Sequence, residues 1–72
     1  VRVCDIKLNL SELLEIEYNQ YINGIIDGLK DGFLDKIKNN QSIDFNKEVK
    51  GAYAYNYGYY LGYIKMYTMS KL

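Results

Sequence analysis

Three carboxylates at four-residue spacing, Asp27, Asp31 and Asp35, are arranged as a chemical site would arrange them. Residues four apart share one helix face, so the row could offer oxygen ligands to a divalent cation. Lys30 and Lys36 interleave with it and no His or second Cys completes a donor set, so a solvated helix face is the simpler reading. Glu12 and Glu15 could pose as an acid–base pair, yet acidic residues at 12, 15 and 17 are also what a helix N-terminus favours. Ser11, Ser42, Thr68 and Ser70 have no base to activate them, because the chain has no His. Cys4 is the single thiol and reads as idle; it cannot form an internal disulfide. Gly24 to Gly32 lacks the Gly-Lys-Ser/Thr that ends a phosphate loop. The expectation is a non-enzyme with no catalytic residue, no metal site and no cofactor.

The elements that would carry these residues are legible in the apolar spacing. The 72 residues bound the chain to a single small domain, 1–72. Residues 1–8 alternate weakly and read as an N-terminal arm, since a lone short strand has no evident mate. Asn9 with Glu12 three residues later reads as a capping box. Leu14, Tyr18, Tyr21, Ile22, Ile25, Leu29 and Phe33 then recur at spacings of three and four, with Asn19, Asn23, Asp27, Lys30, Asp31 and Lys38 opposite them. This predicts a first helix over 9–38. Asn39-Asn40-Gln41-Ser42 suits a turn, placed at 39–44, and Asp44 is the best N-cap for a second helix over 45–70.

Glycine spacing suggests how the helices meet. Gly24, Gly28 and Gly32 stand four apart, and so do Ala54, Gly58 and Gly62. An interior helical Gly costs about 1 kcal/mol relative to Ala, and close backbone approach is the usual compensation. A short polar turn makes the helices antiparallel. The predicted fold is therefore all-α: an antiparallel helical hairpin with glycine-mediated close packing, a glycine zipper. In that register Gly32 meets the Gly51–Ala54 region and Gly24 meets Gly58–Gly62. Residues 1–48 carry six basic and nine acidic side chains, and residues 49–72 carry three basic ones and no acid. Antiparallel arms would set Glu12, Glu15 and Glu17 beside Lys65 and Lys71.

The run Gly58-Tyr59-Tyr60-Leu61-Gly62, with Tyr21-Ile22-Asn23-Gly24, is similar to the Gly-aromatic-x-x-Gly pattern of ribosome modulation factor, a small helical protein that binds ribosomes. That family is strongly basic; this chain has zero net charge. The resemblance implies a ribosome- or RNA-associated factor as the alternative function.

Seven of the nine tyrosines fall between Tyr53 and Tyr67, and no charged residue lies between Gly51 and Ile64. One partner helix cannot cover both the small-residue side and the tyrosines, so Tyr53, Tyr57, Tyr60, Tyr63 and Tyr67 are the expected partner-binding face. A tyrosine-rich face on so small a chain predicts a homo-oligomer, a larger helical bundle, and contact with another protein. Nucleic acid is disfavoured by zero net charge, and the uncharged stretch is shorter than the roughly 20 residues that span a membrane. No apolar run resembles a signal peptide, which with the single thiol points to the cytoplasm. Ile, Lys, Asn and Tyr dominate the composition, as in AT-rich genomes. The function expected is a small protein-binding module, an inhibitor or adaptor, viral if phage-encoded and then acting in the host cytoplasm.

Overall fold

A computed structural model describes residues 1–6, 17–38 and 44–68. Helix α1 spans Tyr18–Lys38 and helix α2 spans Tyr53–Thr68, preceded by one 3-10 turn at Val3–Asp5. The described residues form no strand, and the two helices pack against each other. The predicted start of the first helix at residue 9 lies outside the described residues. At the described end, the Glu17 carboxylate accepts the Asn19 N–H at 2.9 Å, covering one of the donors a helix start leaves open, and its carbonyl accepts the first intrahelical bond, from Tyr21.

The helix pairing is as expected, but its direction is not. Tyr55 meets Asp27, Tyr59 meets Asp31 and Tyr63 meets Asp35, always 28 residues apart. In an antiparallel pair that separation would shrink from one rung to the next; a constant separation means the helices run parallel. The expected juxtapositions are corrected accordingly. Gly24 lies against Tyr55 and Tyr59, Gly28 against Tyr59 and Tyr63, and Gly32 against Tyr63 and Met66. Glu17 and Lys65 sit near opposite ends, so the charge pairing that would place them together is corrected as well. Its other members, Glu12, Glu15 and Lys71, lie outside the described residues.

The segment before α2 explains the reversal. Asp44 does cap backbone N–H groups, but in a turn: its carboxylate accepts from Asn46 at 3.1 Å and its carbonyl accepts from Lys47. The chain then runs extended. Val3 N–H donates to the Lys47 carbonyl at 2.8 Å, Cys4 to Phe45 at 2.9 Å and Val49 to Val1 at 2.7 Å, with an antiparallel bridge between Arg2 and Glu48. Helix 2 thus begins at Tyr53 rather than 45, and Gly51 lies just outside it. The N-terminal arm has a mate after all. Residues 39–52 span up to about 46 Å when extended, ample for the return of about 27 Å that parallel helices in this register require.

The arm and the return segment cover one side of α2. Val3 and Val49 are buried with Tyr59, Tyr63 and Tyr67, and Ile6, Tyr55, Tyr60 and Ile64 pack around that core. Tyr rings stack along it, with centroids 5.7 Å apart between Tyr59 and Tyr63 and 5.3 Å between Tyr63 and Tyr67.

Candidate functional site

Glycines of each helix face the backbone of the other. A Cβ on Gly24 would run into the Tyr55 carbonyl oxygen, and one on Gly28 into that of Tyr59. From the other side, a Cβ on Gly58 would meet the Tyr21 carbonyl oxygen, and one on Gly62 that of Ile25. Each of these four glycines therefore faces backbone, which cannot swing aside as a side chain can. Gly32 is looser, its Cβ falling 2.8 Å from Met66 Cβ, and Ala54 is buried with them.

On one flank of this seam lies a ladder. Tyr55 Oη donates to Asp27 Oδ2 at 2.5 Å, Tyr59 Oη to Asp31 at 2.6 Å and Tyr63 Oη to Asp35 at 2.8 Å. The aspartate row read as a solvated face is half-buried and engaged, which corrects that expectation. Tyrosines at 55, 59 and 63 match aspartates at 27, 31 and 35 rung for rung because both rows repeat every four residues. Lys47 of the return segment closes the ladder, its Nζ 2.8 Å from Asp35 Oδ2. Burial pushes the tyrosine hydroxyls up, reinforced by the carboxylates and, at Tyr63, first by a hydrogen bond with Tyr67: Tyr55 to about 12, and Tyr59 and Tyr63 further in the same direction. Burial also works to raise Asp35, but hydrogen bonds from Lys47 and Tyr63 outweigh it and hold the carboxyl below its ordinary value. Burial works to lower Lys47, and Asp35 outweighs that too. Hydroxyls held this firmly in the protonated form are poor nucleophiles and poor bases. The ladder aligns and holds the helices.

The opposite flank is open and apolar. Ile25 and Leu29 of α1 and Leu61, Gly62, Lys65 and Met66 of α2 line a groove of about 380 Å³. Next round α1, Ile26, Phe33 and Ile37 are 47%, 53% and 64% exposed. Ile22, Ile26, Leu29, Phe33 and Ile37 form one row at spacings of four, three, four and four. Sequence reasoning placed Phe33 inward because it follows the apolar period. The period was real, but the glycines at 24, 28 and 32 took the inner position and turned the bulky row outward.

The expected tyrosine face is divided. Tyr63 is fully buried and Tyr67 nearly so, so neither belongs to an exposed surface of this chain; both form the core under Val3 and Val49. Tyr53, Tyr57 and Tyr60 are half-buried, with Tyr57 stacked between Tyr53 and Tyr21 at centroid distances of 6.2 and 6.0 Å. The described residues contain no cluster of His, Cys, Asp or Glu that could hold a metal ion, and no helix among them is long and apolar enough to cross a membrane. Cys4 is exposed in the N-terminal arm. Comparison with known protein families, curated proteins and solved structures gives no match for this chain.

Proposed function

We propose that the chain is a non-enzymatic protein-binding module that works through the apolar flank of its helix pair. The observation that carries this reading is the row of Ile26, Phe33 and Ile37, all exposed, beside a groove lined almost wholly by carbon. A folded surface normally scatters such residues; a contiguous row next to a concavity is where partners dock. The two flanks divide the work. The tyrosine–aspartate ladder and the arm hold the pair together on one side and leave the other free. In this reading the glycines act as a zipper, bringing the helices close enough for the ladder to form.

This moves the contact surface from the tyrosines to α1. Self-association and contact with a second protein compete for that face. The RNA-associated alternative has less support, because a chain of zero net charge gains little from phosphate.

A peptide-display library panned against the chain and against Phe33→Glu tests the reading. Peptides should be enriched that bind the wild type and lose at least about tenfold in affinity for Phe33→Glu, with unchanged helical circular dichroism. Binders indifferent to Phe33→Glu and Ile26→Glu would place recognition elsewhere and overturn it.

A further inference from the structure

The charges around the apolar flank narrow the kind of partner it fits. Along α1 the carboxylates of Asp27, Asp31 and Asp35 lie on the ladder side, each accepting a tyrosine hydroxyl. The exposed charged side chains of the two helices are then Lys30, Lys38 and Lys65, all positive. Lys30 stands four residues after Ile26 and three before Phe33, which places it beside the apolar row. Lys65 lines the groove itself. The binding face is an apolar trough with a basic rim, its helices' acids engaged on the other side.

We propose that this trough receives an amphipathic helix from a partner protein, one whose apolar stripe is flanked by Glu or Asp. The proposal deepens the binding-module reading and rests on it. A helix laid in a groove presents side chains at three- and four-residue spacing, the repeat that Ile22, Ile26, Leu29, Phe33 and Ile37 offer in return. Acidic flanks would meet Lys30 and Lys65 and fix which way the helix lies. A second copy of this chain is the poorer occupant, because it would bring the same basic rim against itself. A membrane surface also attracts lysines near apolar groups, but insertion calls for a convex stripe, and the groove between Ile25, Leu29, Leu61 and Met66 is concave.

Two synthetic helical peptides test the proposal. Both carry Leu at positions i, i+3, i+4 and i+7; one has Glu on its flanks and the other Lys. Fluorescence anisotropy on the full chain should show the Glu peptide binding about tenfold more tightly than the Lys peptide. Raising salt should narrow the gap, and Lys30→Glu with Lys65→Glu should invert it. Equal binding of both peptides, each abolished by Leu29→Glu, overturns the acidic partner while leaving the binding-module reading intact. Failure of both peptides overturns the two together. Two further results also overturn the proposal: retention of the chain on phosphatidylserine vesicles while neither peptide binds, and a stable dimer that dissociates in Phe33→Glu. Thermal melts confirm that each variant folds, and Leu29→Gln serves as a second groove variant should Leu29→Glu fail to fold.

Discussion

A tyrosine hydroxyl given to a half-buried carboxylate is a small unit with a measurable signature. Tyr55, Tyr59 and Tyr63 each donate to an aspartate, and all three hold their protons more tightly when folded than the ordinary value of 10. The sign follows from linkage: a raised native value contributes stability that is complete below pH 10 and drains away as pH climbs through 12. In an alkaline titration, the tyrosinate absorbance of these residues should therefore appear together with loss of helical circular dichroism. Tyr59→Phe should shrink that late component. A complete tyrosinate rise while the helices remain intact would contradict the ladder. None of this was legible when Asp27, Asp31 and Asp35 were weighed alone. A charged row at helical spacing reads as solvated unless it is set beside a second row of hydroxyls with the same spacing. Those were in the sequence at 55, 59 and 63.

Parallel helices in contact align their dipoles side by side, an unfavourable arrangement that something must offset. Lys36 supplies part of it: the side chain leaves α1, is buried, and donates from Nζ to the Tyr67 carbonyl in the last turn of α2 at 3.3 Å. The close approach of backbone to backbone along the glycines supplies more, through dispersion. The seam gives a prediction whose sign is diagnostic. Gly→Ala in an exposed helix stabilises by up to about 1 kcal/mol. Here the added methyl of Gly28→Ala or Gly58→Ala meets backbone, so each should destabilise by about 1–3 kcal/mol despite the helix gain. The readout is urea denaturation followed by circular dichroism, and stabilisation of both variants would refute the tight seam. The small-residue spacing made the contacting faces readable from sequence. What it could not supply was direction, because rows repeating every four residues match equally well in either sense.

Direction is decided by the rest of the chain. Asp44-Phe45-Asn46-Lys47 reads as a helix start when taken locally, and Val1-Arg2-Val3 as an arm without a mate. Each misreading depends on the other, because the two extended segments satisfy one another's backbone groups and neither pairing is visible from one segment alone. Val3 joins them to the core, fully buried among Tyr59, Tyr63 and Tyr67. Val3→Ala should then cost about 2 kcal/mol, close to the loss for a core aliphatic, and not the few tenths expected of a loose arm. Thermal denaturation of the variant measures it, and a melting temperature unchanged from wild type would detach the arm from the core. The uniform spacing of the rungs also bears on how the chain finds this state. In an antiparallel pair the rung nearest the turn closes a short loop, and the others zip up behind it. Here every tyrosine–aspartate rung closes 28 residues, so whichever rung forms first meets a closure entropy of about 3 kcal/mol. A six-residue turn would cost about 1.6 kcal/mol by the same relation. The helix pair should therefore form about tenfold more slowly than an antiparallel hairpin joined by such a turn, a difference that stopped-flow circular dichroism would read.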